Sequence, residues 1–167
     1  GVYTVTIHLG PRMVVDALHP TDWPDEDEFF MSGFAFGNQG DRLKLTEITQ
    51  WGDANLGNTG GYFEGAENLE VTATDALTVV PTNMYAAFSN AKKFNGAIGN
   101  WNMSGVTDTR FMFNGASSFN RSLNSWNLSK VTQATAMFQN ATAFNGAIGN
   151  WNVSKIKYFD YMFNGAS

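Results

Sequence analysis

From Phe94 onward, apolar and polar positions return in a pattern with a period of 25 residues. Phe94, Phe119 and Phe144 are spaced by 25, as are Trp101, Trp126 and Trp151, and Phe113, Phe138 and Phe163. A fixed period of this size marks a stack of units, each burying its apolar face only against its neighbours. Shifting the pattern back by 25 carries Phe113 to Phe88 and Phe63, Phe94 to Leu69, and Trp101 to Ala76 and then Trp51. Units therefore fall at 44–68, 69–93, 94–118, 119–143 and, incomplete, 144–167. The first two diverge, as terminal units do.

One unit predicts two elements. Leu123, Trp126 and Leu128 form an LxxLxL pattern, and Ile98, Trp101, Met103 and Ile148, Trp151, Val153 fill the same slots. Period two around Trp126 predicts a short strand, with Ser125, Asn127 and Ser129 on its opposite face. Val131, Ala134, Met137, Phe138 and Ala141 follow as a helical apolar stripe. Thr132, in a column with Thr107 and Thr82, suits the helix N-cap. Asn114-Gly115, Asn164-Gly165 and Asn140 suit its end. The expected fold class is a right-handed α/β solenoid, a leucine-rich-repeat-like stack of 25-residue strand-plus-short-helix units with a parallel sheet. Trp101, Trp126, Trp151 and the Phe columns 63/88/113/138/163 and 94/119/144 are its expected core. Asn95, Asn120 and Asn145 read as structural amides that bond backbone groups left over at a turn.

Residues 1–43 form an N-terminal strand and irregular cap ahead of the repeats at 44–167. Residues 1–9 alternate with period two and are rich in β-branched and aromatic residues, which predicts a strand ended by Gly10-Pro11. Phe34 to Phe36 suggests a second short strand, and Gly37 to Asp41 a turn. The acidic run Asp25 to Glu28 reads as a solvated loop or a helix first turn. A calcium site there is disfavoured, because the glycine and alternating ligands of a calcium loop are missing.

Composition then removes function classes. The net charge of −5 argues against nucleic-acid binding, which needs a basic surface. There is no cysteine, hence no disulfide or thiolate metal site. The two histidines, His8 and His19, lie outside the repeats, and no metal or cofactor is expected. No nucleophile elbow, phosphate loop or dinucleotide fingerprint is present, so catalysis is not expected. No apolar run is long enough to span a bilayer. Gly1 in place of Met reads as a processed or truncated start. The N-x-S/T matches at Asn102, Asn120, Asn127, Asn140 and Asn152 read first as repeat chemistry, because three share one column.

The unit FNxxIxxWxVSxVTxxxxMFxxAxx resembles the repeat of BspA-like leucine-rich repeat surface proteins of bacteria. Three copies match nearly column by column, and Gly40 to Leu69 resembles that family's lead-in. The opening GVYTVTIHLG resembles the last strand of a PKD-like β-sandwich, although only that strand is present. The chain departs from the pattern at 11–33, at Ala76 in the Trp slot and at Pro81 in the Val slot. The resemblance implies an extracellular or cell-surface location and adhesion-type binding.

Two functions of different class follow. In the first, a non-catalytic surface or secreted protein binds protein or glycan on another cell or matrix. It uses a polar grid of Asn100, Asn102, Ser104, Ser125, Asn127, Ser129, Asn150, Asn152 and Ser154. In the second, the repeats are spacers in a surface fibre, filament or tail-like appendage and stack between subunits. The next Phe of the pattern would fall at 144 + 25 = 169, beyond Ser167, and no polar cap precedes it. Further repeats or self-association through that end are expected.

Overall fold

The computed structural model describes the backbone of residues 6–9 and 13–14, and residues 35–40 and 42–167 in full. The sequence readings at Gly10-Pro11, the acidic run 25–28, His19 and Phe34 lie outside these residues. Within them, Ala35 and Phe36 are not in a strand, and residues 37–38 turn as expected.

The strands form one small sheet. β1 (Thr6–Leu9), β2 (Met13–Val14), β3 (Glu47–Gln50) and β4 (Glu70–Val71) lie in the order β2-β1-β3-β4. β1 pairs antiparallel with β2 and parallel with β3, and β3 pairs parallel with β4 through Glu47 opposite Glu70. The sheet ends there. In the third and fifth units the same stretch is Asn-Gly-Ala-Ile-Gly-Asn, and glycine is depleted from strands for lack of a side chain to pack. Close packing demands that glycine: a Cβ on Gly146 would collide with the Arg121 carbonyl.

The expected α/β solenoid of strand-plus-helix units is not formed. Among the described residues there is no α-helix, and the only helical pieces are 3-10 turns at Arg42–Lys44 and Met103–Gly105. Nor does a continuous parallel sheet line the Trp slots. Parallel pairing in the later units shrinks to single-residue bridges, Asn83 to Asp108, Asp108 to Gln133 and Gln133 to Tyr158. Thr82, Thr107 and Thr132 cap no helix. Instead the Thr107 N–H donates to the Thr82 carbonyl and the Thr132 N–H to Thr107, at 2.9 and 3.0 Å.

The reason lies in two columns of left-handed residues. Gly61, Ala86, Phe111, Ala136 and Tyr161, each 25 apart, have φ between +49° and +64°. Four residues later, Gly65, Asn90, Gly115, Asn140 and Gly165 have φ between +55° and +74°. Positive φ stops an α-helix and suits the third position of a type II turn. The segment therefore becomes a run of four-residue turns, Ala87 N–H to Met84, Ser89 to Ala86 and Ala91 to Phe88, at 3.1–3.2 Å. The alternate N–H groups point out of the unit. Those of Met84, Ala86, Phe88 and Asn90 donate to the carbonyls of Asp108, Arg110, Met112 and Asn114 in the next unit, at 2.7–2.9 Å. The same offset of 24 recurs from 109–115 to 133–139 and from 134–140 to 158–164. Turns of this kind bring residues three and four apart to one side, as a helix does, so the apolar spacing at 131–141 fits both.

The core lies between the turn run and the Trp side. Phe63, Phe88, Phe113, Phe138 and Phe163 stack with centroids 5.3–5.7 Å apart. Phe94, Phe119 and Phe144 form a second column at 5.5 and 5.8 Å. The columns touch through Phe88–Phe94, Phe113–Phe119 and Phe138–Phe144 at 4.0–4.2 Å. Burial of each such ring contributes about 2–3 kcal/mol, so these columns dominate the cohesion of the stack. Trp101 and Trp126 are buried as expected, whereas Trp151 is only partly covered.

The Trp slots are not equivalent. Trp126 and Trp151 lie nearly parallel, and their Nε1–H groups donate to the carbonyls of Ile98 and Leu123 at 3.0 and 2.7 Å. Ala76 leaves a gap in the second unit, and Trp51 and Trp101 meet in edge-to-face contact at 5.0 Å and 80°. The Nε1–H groups of Trp51 and Trp101 are buried without an acceptor. Asp75 instead accepts from the Trp51 and Gly52 backbone N–H groups.

Candidate functional site

The polar grid expected on a strand face sits on turns at the edge of the stack. Trp126 and Leu128 point inward while Ser125 and Asn127 are exposed, so the alternation holds without strand pairing. The amide oxygens of Asn102, Asn127 and Asn152 accept from the N–H of the residue two on, Ser104, Ser129 and Ser154, at 3.0–3.2 Å. Asn102 also accepts from the Ser104 hydroxyl at 2.7 Å. These are Asx turns, in which a side chain takes the place of a backbone acceptor. Ser125 donates its hydroxyl to the Gly99 carbonyl of the preceding unit, and the Asn150 N–H donates to Asn124. Asn100 is exposed. The amide oxygens of Asn102, Asn127 and Asn152 and the hydroxyls of Ser104 and Ser125 are thus occupied in holding turns and units, while the exposed Asn100 and Asn150 side chains make no such bond among the described residues.

Asn95, Asn120 and Asn145 are structural in a related way. The Asn95 side chain accepts from the Asn120 N–H at 3.0 Å, and Asn120 from Asn145 at 2.8 Å. The bond runs between units rather than inside one turn.

Sequence reading missed a different surface, the outward side of the turn run. Its columns do not repeat. One holds Asn83, Asp108, Gln133 and Tyr158, another Gly60, Tyr85, Arg110, Thr135 and Asp160. The Asp108 carboxylate accepts from Arg110 Nε at 3.0 Å and from Nη2 at 2.6 Å, and also from the Arg110 backbone N–H. That bonding holds the Arg110 guanidinium above its ordinary pKa, against a smaller opposing effect of burial. Arg110 lies over the Tyr85 ring at 5.3 Å, and Phe111 meets Tyr85 edge to face at 5.7 Å and 72°. The signal available in the sequence was negative: these positions depart from the 25-residue pattern while their neighbours keep it.

A family model described as "Mycoplasma protein of unknown function, DUF285" matches residues 61–167, more than half of the chain. The chain belongs to the DUF285 family. No curated protein and no solved structure matches it. In DUF285 terms the matched stretch begins at Gly61, the first left-handed residue of the turn columns, and takes in the outward surface and every Asx turn of the grid. Among the described residues of this DUF285 chain, no cluster of His, Asp or Glu could hold a metal ion. No described helix is long and apolar enough to cross a membrane.

Proposed function

We propose that the chain is a non-catalytic binding module, displayed on a bacterial cell surface or secreted, that engages protein or glycan through the outward side of its turn run. One observation carries this reading. The repeating columns are consumed in stacking, whereas the exposed columns carry non-repeating aromatic and charged side chains on a rigid backbone. Rigid scaffolds with variable outward positions suit recognition. Membership of a Mycoplasma family supports a bacterial source. The likeness of the 25-residue unit to BspA-like surface repeats supports display and adhesion. The test is binding of the purified chain to arrays of glycans and matrix proteins. Saturable binding weakened by Arg110→Ala, with the melting temperature retained, is expected; binding indifferent to the outward columns refutes the assignment.

A further inference from the structure

The geometry points to a subsite for one neutral pyranose ring in the corner formed by Tyr85 and Phe111. The inference rests on the binding reading above and names its ligand class. Two aromatic rings at 72°, with centroids 5.7 Å apart, make a floor and a wall. Such a corner takes a small saturated ring, whose C–H faces are attracted to the electron-rich faces of the aromatics. Arg110, which lies over the Tyr85 ring at 5.3 Å and closes one side of the corner, forms a locked ion pair with Asp108, Nη2 to Oδ2 at 2.6 Å. Arg110 Nη1 makes no hydrogen bond among the described residues, and an ion pair of this kind offers both donors and acceptors to vicinal hydroxyls. Because the pair is locally neutral, it favours an uncharged sugar over an acidic one.

Backbone pairing does not require the aromatic at position 111. Phe111 has φ +56°, and the equivalent residues are Gly61, Ala86, Ala136 and a second aromatic, Tyr161. A bulky L-residue is strained in this region, whereas glycine is not. The stack forms the same bond here whatever the side chain, Phe111 N–H to Thr135 in one unit and Ala86 N–H to Arg110 in the previous one. Strained residues that persist in a rigid frame cluster at sites of function. A protein partner fits less well, because a specific interface needs about 800 Å² from each side, far more than two rings and one ion pair present.

The experiment compares the wild-type chain with Phe111→Gly, Phe111→Ala and Tyr85→Ala. The probes are an array of neutral hexose and N-acetylhexosamine oligosaccharides and an array of unglycosylated matrix polypeptides. Wild type is expected to bind a sugar probe saturably and to be competed off by the free monosaccharide. Loss of either ring weakens binding about tenfold or more. Phe111→Gly keeps or raises Tm, because it removes the strained side chain. Equal sugar binding by wild type and Phe111→Gly overturns the proposal. Polypeptide binding that depends on Phe111, without sugar binding, overturns the sugar assignment and leaves the binding reading standing. Absence of binding to either array overturns both.

Discussion

Replacing Trp126 and Trp101 by Phe tests whether indole hydrogen bonds connect successive units. Both substitutions remove the same atoms from a buried slot, so their packing losses largely cancel in the difference. Their polar consequences have opposite sign. Trp126 Nε1 donates to the Ile98 carbonyl at 3.0 Å, in a buried setting. That carbonyl also accepts the Trp101 backbone N–H at 3.1 Å. Trp126→Phe therefore removes one net bond, about 0.5–1.5 kcal/mol, without orphaning the acceptor. Trp101 Nε1 is buried with no acceptor. Trp101→Phe relieves that burden, worth about 1–3 kcal/mol. The chain with Phe at 101 should thus be more stable than the chain with Phe at 126 by about 1.5–4.5 kcal/mol, a large part of a typical domain stability of about 5–15 kcal/mol. Urea unfolding followed by far-UV circular dichroism reads the difference without relying on tryptophan emission. Equal midpoints at equal slope, or a lower midpoint for Trp101→Phe, refute the reasoning.

Other outcomes follow from position in the stack. Phe113→Ala, which removes a ring packed between Phe88 and Phe138 and against Phe119, should cost about 3–5 kcal/mol in urea unfolding. Phe163→Ala, at 44% exposure and stacked on Phe138, should cost clearly less, and parity between the two would contradict the burial gradient. The triple change of Asn102, Asn127 and Asn152 to Ala should lower stability by about 1.5–4.5 kcal/mol, at about 0.5–1.5 per Asx bond, where a purely ligand-facing grid would leave it unchanged. Burial raises the Glu64 carboxyl above its ordinary pKa, so the folded chain holds that proton more tightly than the unfolded chain. Stability from this group is complete below the ordinary carboxylate range and declines as pH rises toward the raised value. Glu64→Gln should therefore have the higher Tm at neutral pH, with the gap closing in acid; a gap that widens in acid is the contrary result.

The stacking period was legible because buried aromatics must superpose, and superposition writes itself into spacing. Phe88, Phe113 and Phe138 occupy the column expected of them. The element type was not legible, because apolar residues three and four apart satisfy successive turns as well as a helix. The deciding signal was the column Gly61, Ala86, Phe111, Ala136, Tyr161, whose only glycine sits in the divergent first unit. Ala and aromatic residues carry no hint of positive φ. By contrast, Gly115, Asn140 and Gly165 were read as helix ends because they tolerate left-handed backbone, and they do adopt it, in turns. The polar grid reads two ways for a similar reason: Asn two residues before Ser looks like a surface row, and it is also the composition of an Asx turn. Asp108, Arg110 and Tyr85 were invisible to a search for repetition because they do not repeat.

In the four turn runs before the last, the alternate N–H groups meet carbonyls of the following unit. Every segment of 25 residues therefore carries a donor edge, an acceptor edge and both halves of the aromatic contacts. A tandem duplication of one such segment in the gene would insert a copy already complementary to its neighbours on both sides, and a deletion would rejoin compatible edges. The outward side chains contribute little to that complementarity, apart from Tyr85 against Arg110 and Phe111 and Asn83 on Asn58, so a new copy is freer to mutate there. Length and surface identity can then evolve separately, the first by recombination and the second by point substitution.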